Sequence, residues 1–303
     1  MSDYQQISTE IDSNGLMVIT LDRPDAMNAF TARMMHEVCA ALDEADNNDD
    51  VRAVIFTGQG DRAYCAGADL SQGDKTFNYE QRQDEAGKTS VVSDDGKIDW
   101  SNEQIRDSGG VMTLRIYESV KPVIGAINGA AVGVGATMLL PMDIRIASEN
   151  ARFGFVFARR GIVPEACSSW FLPRIVGISQ ALKWCYAGNV FGAEEALAGG
   201  LVNEVVPHSD LLIRAKHIAL EMTQLSAPVS VALTRQMLWR MLGADHPMEA
   251  HKVDSKAIFG RGRMGDAKEG VNSFLEKRDP EFTDSPSKDI PDFYPWWEAR
   301  KYS

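Results

Sequence analysis

The chain has 303 residues, a hydrophobic fraction of 44% and a net charge of −12, enough apolar content for one large core with a smaller helical region beside it. So acidic a chain is a poor partner for nucleic acid or an anionic membrane surface, and its sequence has no apolar span long enough to cross a bilayer. The four cysteines show no CxxC spacing and none of the five histidines lies between residues 37 and 207, so no metal, a reducing cytoplasmic setting and no histidine catalysis in mid-chain are expected.

Residues 6–12 and 16–21 flank Ser13-Asn14-Gly15 and read as a hairpin. A loop over 23–30 follows, and Thr31 predicts the N-cap of a helix to about residue 46, with Met34, Met35, Val38 and Leu42 inward. The apolar run 51–57 suits a parallel strand covered on both faces. After it, the small residues Ala66, Gly67 and Ala68 allow close approach to the main chain, with Asp69 as a turn anchor; an ordinary strand-to-helix loop reads equally from these residues. Residues 71–99, with Glu80, Asp84, Glu85, Asp94, Asp95 and Asp99, are polar and weakly periodic and read as a mobile excursion from the core.

Helical spacing returns over 100–119 and leads to a buried strand at 123–127, which Asn128-Gly129 breaks. Gly129, Gly133 and Gly135 leave the backbone bare, and 133–142 is apolar enough to start a buried helix. The first N–H groups of a helix have no internal partners and can donate to an oxygen that becomes negative, which makes half of an oxyanion hole; a core helix with glycines for close packing is the plainer reading. A strand at 143–147, an extended piece at 151–154 and a loop ending in Glu165 come next. Helices are predicted at 166–176, 180–187, 193–198, 211–225, 229–242 and 266–277, with a last strand at 202–206. The tail Phe293-Tyr294-Pro295-Trp296-Trp297 carries too many aromatics to be left in water and reads as packed.

Set side by side, Tyr64-Cys65-Ala66-Gly67-Ala68-Asp69-Leu70 and the Lys121–Gly129 stretch with its Gly133-Val134-Gly135 turn resemble the crotonase (enoyl-CoA hydratase/isomerase) superfamily. The resemblance extends over 23–30, 193–206 and 269–282. It implies an α/β crotonase (ClpP/crotonase-like) fold with a ββα spiral core over 1–207 and a helical C-terminal region over 208–303 used for trimer contacts. It also implies an oxyanion hole from the Ala66 and Val134 N–H groups for an acyl-CoA thioester. Coenzyme A, part of the substrate and not a separate cofactor, would lie along Ala66, Gly67, Ala68, Asp69 and Leu70, the loop residues Arg23 and Ala26, and Phe274 and Lys277 of a C-terminal helix. A homotrimer or a dimer of trimers is expected.

The chain departs from the hydratases of that family, which hold their water between two glutamates: the corresponding positions read Thr137 and Phe157, neither of which is a base. The run Pro164-Glu165-Ala166-Cys167-Ser168-Ser169 is instead similar to single-glutamate enoyl-CoA isomerases, which makes Glu165 the expected catalytic base, buried by Phe157, Trp170 and Phe171. Read without the resemblance, Glu165 could equally be a carboxylate stabilised by a helix N-terminus. Arg159 and Arg160 read as solvated or internally paired cations, and Cys65 and Cys167 as packing residues. Isomerisation of β,γ- to α,β-enoyl-CoA is the expected reaction; hydration, hydrolysis and acyl-CoA binding without chemistry are the other readings.

Overall fold

Asp12 closes the first hairpin: its Oδ1 accepts from the Asn14 and Leu16 N–H groups at 3.0 and 3.1 Å, and β1 (Ile7–Ile11) folds antiparallel onto β2 (Leu16–Leu21). The structure is a computed structural model and describes residues 4–78, 91–93 and 95–303; of the acidic run, Glu80, Asp84, Glu85 and Asp94 lie outside the described residues. Thr31 caps α1 (Ala32–Asn47) by accepting from Met34 N–H at 3.1 Å. The apolar face of this helix buries Met34, Met35, Val38 and Leu42 and delivers the chain to β3 (Ala53–Gly58), parallel to β2.

From here the chain passes back and forth between two sheets. After β4 (Ala63–Cys65) come α2 (Ser108–Glu118), β5 (Val123–Ile127), β6 (Ala130–Val132) and α3 (Val134–Thr137). The chain continues through β7 (Ile144–Ser148), β8 (Arg152–Gly154), α4 (Ser168–Val176), α5 (Ile178–Ala187), β9 (Val190–Gly192), α6 (Ala193–Ala198) and β10 (Glu204–Val206). One sheet has the order β1-β2-β3-β5-β7-β10, the other β4-β6-β8-β9. From β3 to β8 each repeat lays one strand in the large sheet and the next in the small one, the ββα spiral of the crotonase fold; β9 stays in the small sheet, antiparallel to β8, and β10 returns to the large one.

Two buried asparagines hold the place where strands change sheets. Asn128 Nδ2 donates to Gly58 O at 2.9 Å and Gly60 O at 2.6 Å while its Oδ1 accepts from Gly58 N–H at 3.1 Å. Asn28 Nδ2 donates to Gln59 O and Ala63 O at 3.1 and 2.8 Å. Peptide groups that leave a ladder inside a core need such partners, and side-chain amides supply donor and acceptor together.

Beyond β10 the described chain is helical, with α7 (Leu211–Thr223), α8 (Pro228–Met241), α9 (Pro247–Gly262), α10 (Gly265–Glu276) and α11 (Pro286–Asp289). Leu211, Ala215 and Ala219 of α7 pack against Leu16, Ile55 and Ile146, so this helix covers a face of the large sheet. The aromatic tail returns to its own chain: the Arg240 guanidinium of α8 lies 3.2 Å from the Trp297 ring centroid.

Three helices differ from the sequence expectation. The one predicted over 133–142 ends at Thr137; Pro141 has no N–H to give and its ring would meet the carbonyl of residue 137. The one predicted from 100 starts at Ser108, because Asp107 accepts from the Gly109 and Gly110 N–H groups at 3.0 and 2.9 Å and caps it there. The one predicted from 166 starts at Ser168, because Ala166 and Cys167 are left-handed, with φ of 54° and 55°. Sequence periodicity also missed α9, whose Ile258 and Phe259 are exposed while Val253 and Ala257 are buried, so no single apolar stripe marks it.

Candidate active site

The two small-residue turns touch. A Cβ at Gly135 would stand 2.0 Å from Cys65 O, so α3 can lie against the end of β4 only without a side chain there. One on Gly67 would stand 3.1 Å from Val132 O. Val134, the first residue of α3, has no helical acceptor for its N–H and no other backbone acceptor among the described residues.

The second expected donor needs correction. Ala66 N–H is not free; it donates to Met27 O at 3.1 Å. The 23–30 loop runs beside the turn as a short parallel bridge, giving Phe30 N–H to Gly67 O at 2.8 Å and taking Asp69 N–H on Phe30 O at 2.9 Å. A parallel bridge uses the amides on either side of the paired residue and turns that residue's own N–H away. The Ala68 N–H accordingly points away from the loop and has no backbone acceptor among the described residues.

Arg23 is paired within its own chain. Its guanidinium pairs with Asp69 Oδ2 at 2.8 Å and donates to Ala29 O at 2.6 Å, fastening the loop to the turn. Ala26 is exposed at the end of a short 3-10 turn, and Leu70 is exposed as well. Phe274 stands 81% exposed on α10, which packs on α9, and Lys277 ends that helix in a left-handed conformation; the structure does not bring either residue to the paired turns within this chain.

Glu165 does come to them. Its Oε1 accepts from Thr137 Oγ1 of α3 at 2.6 Å, and a Cβ at Gly109 would lie 2.3 Å from its Oε2 and 3.1 Å from Val134 Cγ2. The carboxyl thus shares the space over Gly109 with the Val134 side chain. It precedes α4 by two left-handed residues, so the helix-stabilised reading fails, and the direction of its proton affinity agrees. Burial, with the Asp107 carboxylate nearby, pushes the Glu165 pKa up to about 8 against the opposing Thr137 hydrogen bond.

Of the aromatic residues expected around it, Phe157 and Phe171 are buried in the main core. Trp170 is half-buried in an aromatic group, edge-on to Tyr117 at 6.0 Å and Phe171 at 4.8 Å, with Arg174 stacked 4.1 Å over it. Arg159 is tied to the end of α5 through Ala187 O at 2.8 Å and Asn189. Burial pushes the Cys65 thiol up to about 12 and raises Cys167 as well, so neither is a thiolate near neutral pH. Among the described residues there is no cluster of three His, Cys, Asp or Glu placed to hold a metal, and no helix long and apolar enough to cross a membrane.

Sequence reasoning saw Thr137 only as a missing base, and it passed over Asp107, Gly109 and Thr113, the residues against which the Glu165 segment rests. Asp before Ser-Gly-Gly is an N-cap signature that was legible at residue 107; nothing local marks the other two.

An unpartnered amide at each of two touching turns, beside a carboxyl of high proton affinity, can take up a proton while negative charge grows on a bound oxygen. The comparisons with known proteins agree in kind. The sequence profile of the enoyl-CoA hydratase/isomerase family matches residues 12–94 and 99–285. The chain is 41% identical over 275 residues to Enoyl-CoA hydratase ACTT3 of Alternaria alternata, covering 90% of this chain and 85% of that one. It is 30% identical to the 1,2-epoxyphenylacetyl-CoA isomerase of Escherichia coli, covering 89% and 95%. The crystal structure of an enoyl-CoA hydratase from Bacillus anthracis superposes with a TM-score of 0.77 at 30% identity, covering 92% and 99%. With both the fold and nearly the full length matched, the chain belongs to the enoyl-CoA hydratase/isomerase family of enzymes.

Proposed function

We propose that the protein moves a double bond from the β,γ to the α,β position of an enoyl-CoA, with Glu165 as its single base. The thioester oxygen would sit between the Ala68 and Val134 N–H groups; Glu165 would take the α-proton, the dienolate charge would rest on the thioester oxygen, and Glu165 would return the proton at the γ-carbon. Fixed donors in a water-poor site stabilise such charge by roughly 3–4 kcal/mol each. The observation that carries the reading is the Glu165 carboxyl held at 2.6 Å by Thr137, over the start of the helix that offers the Val134 amide. One proton carrier suffices for this shift, so the absence of carboxylates at Thr137 and Phe157 does not stand in its way.

Hydration is the second reading, because several similar proteins are named enoyl-CoA hydratases; it would ask Glu165 alone to activate the water. A high proton affinity on a half-buried carboxyl fits chemistry better than a passive acyl-CoA scaffold. The rest of the proposal is an acyl-CoA substrate, no separate cofactor, a cytoplasmic setting consistent with four unpaired cysteines, and a homotrimer or dimer of trimers. The exposed apolar residues Ile258, Phe259, Val271, Phe274 and Leu275 of α9 and α10 support the assembly, since they meet no cover in their own chain.

Incubating the protein with vinylacetyl-CoA in deuterated water tests the mechanism, because exchange at the α-carbon reports the first proton transfer whatever the product. Glu165→Gln should bind the thioester normally and lose exchange by at least about a hundredfold. Exchange that survives in the Gln variant removes Glu165 from the reaction, and crotonyl-CoA hydrated faster than vinylacetyl-CoA is isomerised favours the second reading.

A further inference from the structure

Two consecutive non-glycine residues in the left-handed region are costly, and Ala166 and Cys167, immediately after Glu165, both lie there, with φ of 54° and 55°. Something outside the segment must hold them. Ala166 N–H donates to Asp107 Oδ2 at 2.6 Å, and Ala166 O accepts from Thr113 Oγ1 at 3.1 Å. Both partners belong to α2: Asp107 is its N-cap and Thr113 lies on its buried face.

Asp107 is fully occupied by this work. Its Oδ1 accepts from Gly109 N–H at 3.0 Å and its Oδ2 from Gly110 N–H at 2.9 Å as well as from Ala166. A carboxylate whose oxygens already accept from three backbone donors has little room left to hold a reacting water, so it is not a second base. We propose that Asp107, with Thr113 behind it, is the positioning residue of the site: one carboxylate caps α2 and clamps the Ala166 amide, so that the left-handed step aims the Glu165 carboxyl at Thr137 and into the space over Gly109. The inference rests on Glu165 being the base.

The same carboxylate acts on Glu165 by charge. Around Glu165 stand Asp107 from the segment leading into α2, Cys65 from β4 and Cys167 from its own segment, with Arg106 acting on Cys167. Both thiols are held neutral, so Asp107 is the anion that faces Glu165 and raises its affinity for a proton. A clamp that served packing alone would have no such effect, which separates the two roles in a pH profile.

The test is the pH dependence of α-proton exchange into vinylacetyl-CoA by the full chain, for wild type, Asp107→Asn, Thr113→Val and Glu165→Gln. Asp107→Asn removes the charge and leaves one acceptor oxygen for three donors; its maximal rate should fall about tenfold or more and its rising limb should move about one unit to lower pH. Thr113→Val loosens Ala166 without touching a charge and should lower the rate several-fold with the limb unmoved. Adding Ala166→Gly to Asp107→Asn should restore thermal stability, since glycine takes the left-handed conformation without strain, but should not return the limb to its original pH. If Asp107→Asn does not fold, the Thr113→Val rate decides alone. Wild-type rate in Thr113→Val, or a wild-type limb in folded Asp107→Asn, overturns the inference while Glu165→Gln is inactive; an active Glu165→Gln overturns the base assignment itself.

Discussion

Thr137 Oγ1 and Glu165 Oε1 are 2.6 Å apart, joining the helix after the glycine turn to a loop residue 28 positions further along the chain. Thr137, which is no base itself, is thus the hydrogen-bond partner of the Glu165 carboxyl. Because Thr137 donates, it favours the ionised form of Glu165 and opposes the rise due to burial and Asp107. Thr137→Val should therefore push the Glu165 pKa higher still and move the rising limb of activity to higher pH by about half a unit to one unit. Measurement of kcat/KM against pH checks this; a limb moving to lower pH would mean that Thr137 does not act on the ionised carboxyl.

Gly109 should tolerate no side chain if Glu165 is to work. An added Cβ would meet Glu165 Oε2 at 2.3 Å, Ala166 Cβ at 3.1 Å and Val134 Cγ2 at 3.1 Å. The closest of these atoms is the end of a flexible side chain, which can move, whereas the catalytic geometry cannot. Gly109→Ala should lower turnover by about a hundredfold, as misplacement by about an ångström does. The cooperative unfolding transition should persist, helped by the better helix propensity of alanine. Unchanged turnover with an intact thermal transition would show that the carboxyl is not used in the position described.

The charge on Glu165 also sets how stability depends on pH. Its ordinary value is 4.5 and burial in the fold raises it to about 8, so between these values the folded state holds a proton that the unfolded state has released. The stabilising effect of the neutral carboxyl is fully present below the unfolded value, shrinks as pH rises from about 4.5, and is gone above about 8. Glu165→Gln, which stays neutral throughout, should melt close to wild type near pH 5 and above wild type near pH 8, by on the order of a few kcal/mol. Thermal unfolding at the two pH values checks it, and an equal difference at both would show that Glu165 titrates normally.

Much of the architecture was legible in the residues themselves. The hairpin at Gly15, the Thr31 cap, the strand at 123–127 and the small-residue turns follow from local rules of turn chemistry, capping and apolar run length. The motif of the first turn was legible as well, but its donor was not: Ala66 and Ala68 are alike as residues, and only the bridge to the 23–30 loop decides which N–H is taken. The pairing of Arg23 with Asp69, 46 residues away, is likewise decided by the tertiary structure.

From the sequence, strands, caps and glycine turns can be read in spacings of a few residues, and the resemblance to the crotonase superfamily implies the fold and points to Glu165. Tertiary structure decided what that acid is. Burial, the approach of Asp107 and the hydrogen bond from Thr137 join residues 28 and 58 positions apart from Glu165, and the electrostatic field they create at one carboxyl depends on distances through space that no local pattern records.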